Sequence, residues 1–175
     1  DFSGTTGLLP DFLQPLSDTD NTLRPADPHF LEGPYDGAYY YNAGRDPWRI
    51  GTNALVNNDA LSLHQAQRMA EWIAEKTMGD PAIIKAGYSL AGLPIGDYFT
   101  TFFAAPFGVA LMTTPSQQEF LNEVYDSVFN THENYYEDSV TLLCLLVMSG
   151  NYWSPAQQIH EVTIMPSLLL LLKEQ

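Results

Sequence analysis

Two stretches of this chain, Phe102–Met112 (FFAAPFGVALM) and Leu142–Met148 (LLCLLVM), have no polar face to turn toward water. A helix that is apolar all round must be enclosed by other elements. The segments beside them are built differently. In Ala60–Thr77 the apolar residues Leu63, Ala66, Met69, Ala70 and Ile73 recur at helical spacing, and between Thr114 and Asn130 Phe120, Val124 and Val128 form one stripe with Leu121 and Tyr125 beside it. Such helices bury one face and expose the other. Enclosed helices alternating with one-faced helices predict an all-α architecture, an α/α toroid with an inner ring of helices wrapped by an outer one. Five helices do not close such a ring by themselves.

The remaining elements are read from local signals. A first helix is expected from Asn42 or Asp46 to Val56. Asn42 can cap it, or Asp46 can cap it with Pro47 at the first helical position, which is the better local chemistry. The second helix, Ala60–Thr77, ends at Gly79-Asp80-Pro81; the third is expected over Tyr98–Met112, bent or delayed by Pro106; the fifth over Tyr136–Ser149, stopped by Gly150-Asn151. Ile83–Ile95 reads as a short β-hairpin around Ala91-Gly92 and Pro94. Residues 1–28 read as irregular, because Pro10, Pro15, Pro25 and Pro28 forbid a continuous helix, with Leu8-Leu9-Pro10-Asp11-Phe12 as an apolar anchor. A long loop of this kind is expected to be functional, and it leads straight to Glu32. A main segment over 1–155 is expected to precede a tail, 156–175, in which Pro166 interrupts any last helix.

Charge narrows the partners. With a net charge of -14, the chain suits neutral or cationic ligands and argues against nucleic acid or an anionic membrane surface. The apolar run Leu168–Leu172 is far shorter than the roughly 20 residues a membrane span needs. The single cysteine, Cys144, lies in an apolar run and is expected to be a small buried thiol, with no intrachain disulfide. His29, His64, His132 and His160 show no zinc-binding spacing, and no metal or cofactor is expected. No signal peptide is visible; the sequence starts at Asp1 as if an upstream piece had been cut away.

The densest chemistry lies between His29 and Asn53. Glu32, Asp36 and Asp46 sit there among Tyr35, Tyr39, Tyr40, Tyr41 and Trp48. Arg45 and Arg49, two of only seven basic residues, are four apart, on one face of a helix, where pairing with carboxylates is expected. Aromatic rings stack on the apolar faces of pyranose rings, and carboxylates move protons at a glycosidic oxygen and at a water, so this combination is what a sugar-processing cleft needs.

Four blocks carry a family resemblance: Thr6–Phe12 (TGLLPDF), Tyr39–Asn53 (YYYNAGRDPWRIGTN), Ile95–Tyr98 (IGDY) and Tyr135–Pro155 (YYEDSVTLLCLLVMSGNYWSP). In this order they resemble glycoside hydrolase family 8, over about Thr6 to Pro155. The resemblance implies an (α/α)6 barrel, secretion, and inverting hydrolysis of a β-1,4-linked polysaccharide such as cellulose, mixed-linkage glucan, xylan or chitosan. It also implies that the chain is the C-terminal half of the catalytic domain. The general acid is then a glutamate on an N-terminal half, which is expected as the partner, from the same precursor or a second chain. In many members the base is an aspartate, placed here at Asn53, and an amide cannot take up a proton at neutral pH. A chitosanase-like branch instead places a glutamate in the loop before the tyrosine-rich stretch, which implies Glu32 as the base, with Asp36 as the fallback.

Tyr39, Tyr41 and Trp48 are candidates to stack on sugar, although three adjacent tyrosines cannot all face one way. Asn42 and Asn53 are expected to bond sugar hydroxyls or hold a water, unless Asn42 caps the helix. Arg45 and Arg49 touch sugar or pair with barrel acids, and Asp97 binds substrate or caps the third helix. Chitosan is the first substrate expected, since its protonated amines suit an acidic cleft, with β-1,3-1,4-glucan or cellulose second.

Overall fold

The structure, a computed structural model, describes residues 2–17 and 19–153. Five helices, α1 (Asp46–Asn57), α2 (Ala60–Thr77), α3 (Thr101–Leu111), α4 (Gln118–Phe129) and α5 (Tyr135–Met148), carry the architecture. Single 3-10 turns lie before α1 (Ala43–Arg45), between α2 and α3 (Pro81–Ile83) and between α3 and α4 (Pro115–Gln117). The expected last helix in 156–175 lies outside the described residues.

Local chemistry explains the helix ends. Pro47 sits in the first turn of α1, where its missing N–H costs nothing, and Asn58 ends the helix in the left-handed region at φ 53°. Asp59 caps α2 by accepting the N–H of Ser62 at 2.7 Å. Thr100 caps α3 through the N–H of Phe102, and Glu133 adds a carboxylate to the same helix start. Its Oε2 accepts from Thr100 Oγ1 (3.0 Å), Thr101 N (2.7 Å) and Thr101 Oγ1 (2.5 Å). Pro106 is tolerated inside α3 and does not delay its start.

The helices arrange as the pattern predicts. The central helix is α3, all of whose residues are buried; it packs against α1, α2, α4 and α5. Helices α1, α3 and α5 lie side by side as the inner row. The outer helix α2 covers α1 and α3, and α4 covers α3 and α5. Burying each of Phe102, Phe103 and Phe107 contributes about 1.5–3 kcal/mol, so α3 anchors the core. The fit leaves no slack: a Cβ on Gly51 of α1 would lie 3.2 Å from both the carbonyl oxygen and a methyl of Val109 on α3. Helix α5 departs from the expectation of burial all round. Val140, Cys144 and Val147 are enclosed, but Leu142 (58%), Leu143 (42%) and Leu146 (37%) are exposed, because only α3 and α4 flank it among the described residues.

The β-hairpin is real, but it lies elsewhere. Strands β1 (Leu13–Ser17) and β2 (Asp20–Pro25) pair antiparallel, Leu13 with Pro25 and Pro15 with Leu23, inside the segment read as irregular. Two prolines and largely exposed residues hide the period-two signal there. Ile83–Ile95 forms no hairpin of paired strands. Its Tyr88 makes isolated bridges to Pro94 and to Tyr39, with N–H···O bonds of 3.0 and 2.9 Å exchanged between the two tyrosine backbones. That bridge fastens the tyrosine-rich stretch to the loop ahead of α3.

Candidate active site

Glu32 stands on an exposed loop whose backbone is gathered by one buried carboxylate. Asp36, only 3% exposed, accepts the N–H groups of Leu31 (2.6 Å) and Glu32 (3.0 Å) on Oδ2 and of Gly33 (2.8 Å) on Oδ1. Burial works to raise the pKa of Asp36, but these three N–H groups and nearby His29 outweigh it and hold the carboxyl below its ordinary value. That use of its oxygens corrects the fallback reading of Asp36 as a base: it is committed to the loop.

The Glu32 side chain reaches over Asn42. Its Oε2 accepts from Asn42 Nδ2 at 2.9 Å, while Asn42 Oδ1 accepts from Arg45 Nη2 at 3.0 Å and Asn42 O from Arg45 Nε at 3.2 Å. The amide is thus held at both ends, and this network fixes which end is nitrogen. Asn42 makes no side-chain cap; the 3-10 turn leads into α1 behind it. The same amide nitrogen lies 3.5 Å from Asp11 Oδ2, and Asp11 Oδ1 accepts the N–H groups of Tyr40 (2.9 Å) and Ala43 (2.7 Å). Burial raises the Asp11 pKa, and the bonds from Ala43, Asn42 and Tyr40 offset this only in part.

Between these groups lies a cavity of about 290 Å³, lined by Asp11, Glu32, Asp36, Tyr35, Tyr40 and Tyr41 among others. Larger concavities lie elsewhere. One of about 660 Å³ adjoins the hairpin, and one of about 500 Å³ between α2 and α4 gathers Glu71, Glu75, Glu119 and Glu123. Neither sets a run of aromatic rings beside carboxylates, so size does not decide the site. The rings here form a shelf. Tyr35 and Tyr40 have centroids 4.9 Å apart, Tyr41 stacks on Phe102 at 5.2 Å, and Phe102 stacks on Tyr136 at 5.3 Å. The hydroxyls of Tyr41 and Tyr98 are 3.0 Å apart. Tyr41 and Asn42 precede α1, Tyr98 precedes α3 and Tyr136 opens α5, so the shelf spans the N-terminal ends of the inner helices.

Several expected site residues fall elsewhere. Tyr39 is fully buried, packed against Phe103 and Phe107 with its hydroxyl donating to Gly44 O at 3.3 Å; it is a core residue with no face for sugar. Asn53 is turned to α2, with Nδ2 on Ser62 Oγ at 2.8 Å and Oδ1 accepting from Asn57 at 2.7 Å, so the amide beside the carboxylates is Asn42 and not Asn53. Trp48 packs against the core and does not line the cavity. Arg49 is exposed and, with Arg45, acts through space on Asp46. Burial raises the Asp46 carboxyl to about 6, Arg49 and Arg45 pulling it down and Asp11 pushing it up. Asp97 is exposed, its carbonyl accepting from Lys85 Nζ at 3.1 Å, and Thr100 takes the cap of α3 in its place. Sequence reasoning did not single out Asp11 or Tyr98 as site residues, and named Tyr35 only among the rings of the stretch. Asp11 was hidden in an apolar anchor, although an aspartate amid apolar neighbours is itself a signal for a held carboxylate.

No family model matches the chain; individual relatives do. A protein of Niallia circulans named beta-glucanase is 45% identical over 154 residues, which are 87% of this chain and 37% of the relative. The apo structure of a beta-1,3-1,4-glucanase from Paenibacillus sp. X4 superposes with TM-score 0.83 at 44% identity, over 87% of this chain and 40% of that one. A glycoside hydrolase family 8 protein from Teredinibacter turnerae, in complex with xylobiose, matches at TM-score 0.59 and 19% identity over 87% and 38%, which is a likeness of fold. The chain thus spans less than half the length of the relatives it matches. Its inner and outer helices, its four sequence blocks and these relatives agree with the resemblance to glycoside hydrolase family 8, and the partial coverage fits the C-terminal half of an (α/α)6 catalytic domain.

Proposed function

We propose that this chain forms the water-activating side of the cleft of an endo-acting, inverting β-glucan hydrolase, with Glu32 as general base. One observation carries this reading: an exposed carboxylate on a held loop, bonded by Asn42, beside a cavity floored with tyrosine rings. In an inverting reaction the base takes a proton from a water as that water's oxygen attacks the anomeric carbon. An acid on the opposite face protonates the departing glycosidic oxygen, with the two carboxyls roughly 6.5–9.5 Å apart. The acid belongs to the N-terminal half of the domain, from the same precursor or a second chain, whose helices also cover the bare Leu142, Leu143 and Leu146 flank of α5. Tyr35, Tyr40 and Tyr41 offer ring faces to pyranose units, and Tyr98 and Arg45 offer donors to their hydroxyls.

Mixed-linkage β-glucan is the first substrate, because the relatives from Niallia circulans and Paenibacillus are named glucanases. Chitosan, the first expectation from the sequence, becomes the second reading, favoured by the net charge of -14. A polymer of this size is met outside the cell, so the enzyme acts as a secreted protein. Hydrolysis of barley β-glucan and soluble chitosan by the whole domain, at several salt concentrations, separates the two. Glucan cleavage indifferent to salt supports the first; salt-sensitive cleavage of chitosan alone supports the second. Glu32→Gln removes nearly all turnover while leaving oligosaccharide binding close to unchanged. A variant that keeps most of its rate ends the assignment.

A further inference from the structure

We propose that Asp36 is a positioning residue, whose carboxylate sets where the Glu32 carboxylate stands by holding the three consecutive backbone N–H groups of Leu31, Glu32 and Gly33. The inference rests on the reading of Glu32 as base and deepens it.

The loop has little else to hold it. Phe30 (44%), Leu31 (65%) and Glu32 point to solvent, so no side chain of 30–32 is anchored in the core. His29 adopts φ 63°, a conformation that a non-glycine residue rarely takes without support, and Gly33 has open space where a Cβ would stand. Backbone bonds inside the loop are few: His29 N to Gly33 O at 2.8 Å, Phe30 N to Asp27 O at 3.2 Å and Asp36 N to Gly33 O at 3.4 Å. Against that, Asp36 is buried and tied to the scaffold, its own carbonyl accepting Phe12 N at 2.9 Å. Residues 31–33 are therefore tied to the scaffold chiefly through one side chain. The three N–H groups also leave Asp36 no part in proton transfer, so it acts through Glu32 and not on the substrate.

Asn42 sees only the far end of this arrangement. Its amide meets Glu32 Oε2 at 2.9 Å when the loop is clamped. A displacement near 1 Å of a catalytic group can cost about 10²-fold in rate. Replacing Asp36 by Asn keeps the shape but turns an NH2 group toward N–H donors, which releases part of the clamp.

The test uses the whole catalytic domain on soluble mixed-linkage glucan. Asp36→Asn is expected to lower kcat by about 10- to 100-fold, with KM and calorimetric binding of a cello-oligosaccharide within about twofold of the parent. In the Glu32→Gln background the same change is expected to have no further effect, since no base is left to misplace. An unchanged kcat in Asp36→Asn overturns the inference. So does loss of binding in step with kcat, which marks a general structural role, or an equal loss of rate in the Glu32→Gln background. Should Glu32→Gln itself keep the parent rate, the Glu32 reading falls and this inference with it. A dead Glu32→Gln beside a fully active Asp36→Asn removes the clamp alone.

Discussion

The loop at Asp27–Asn42 and the helix α3 sit within one ring of each other, Phe102 of α3 stacking on Tyr41, yet they are held by opposite physics. Helix α3 is enclosed by four other helices and by apolar contacts of no fixed direction. The loop is held by five backbone N–H groups that converge on two carboxylates, three on Asp36 and two on Asp11. Apolar packing is redundant, so a defect in α3 lowers stability but leaves the site's shape for every molecule that remains folded. Directional bonds are not redundant, so a defect in the loop changes geometry while the fold survives. A catalytic base gains from the second arrangement: it stays exposed to water and substrate yet is fixed in place.

The sharpest break between the two regions is Glu32→Gln, expected to cut kcat by about 10²–10⁴-fold with no change in unfolding midpoint, read by initial rates and calorimetry. Phe107→Ala should do the reverse. Loss of this fully buried ring is expected to cost about 3–5 kcal/mol in denaturant unfolding, with kcat and KM unmoved below the transition. If Phe107→Ala alters KM instead, the division of labour drawn here is too clean.

Asp46 sharpens the comparison through pH. Its folded-state pKa of about 6 lies above the ordinary 3.8, so the folded protein binds more protons than the unfolded chain between these values. Stability therefore falls as pH rises from about 4 through 6, by an amount on the order of 1–3 kcal/mol. Asp46→Asn should flatten this part of the unfolding free energy against pH and stabilise the protein at pH 7. A curve parallel to the parent's would place the titration elsewhere.

Gly87 gives the smallest expected effect and tests the seam between the regions. It adopts φ 88°, and a Cβ there would lie 2.4 Å from the Tyr40 ring. Gly87→Ala should cost about 1–2 kcal/mol and raise KM, because it displaces a ring of the cavity as well as straining the backbone. A change in stability with KM untouched would remove Tyr40 from the sugar shelf.

Helices were the legible part of the sequence. Ala60–Thr77 is the observed α2 to the residue, because its apolar stripe and the Gly79-Asp80-Pro81 stop are local signals. The enclosed α3 and the one-faced α2 and α4 were equally legible, since burial follows periodicity, whereas α5 keeps one apolar flank exposed among the described residues. The β-hairpin was not: β1 and β2 are largely exposed, so no buried face imprints an alternation on Leu13–Pro25. Within the site, Glu32, Tyr41, Asn42 and Arg45 come together as a chemical reading of the stretch suggested. Tyr39 and Tyr41 could not be told apart by composition; the backbone bridge to Tyr88 turns the first into the core and leaves the second half-buried over Phe102.

Sequence alone thus determined the helices and their inner and outer rows, because hydrophobic period and capping act within a few residues. Only the tertiary structure decided which groups surround each carboxylate. Asp11 is 21 residues from Glu32 along the chain, and nothing local shows that one asparagine amide, Asn42, lies between them. Which N–H groups and rings surround each oxygen is set by long-range packing, which local sequence does not encode.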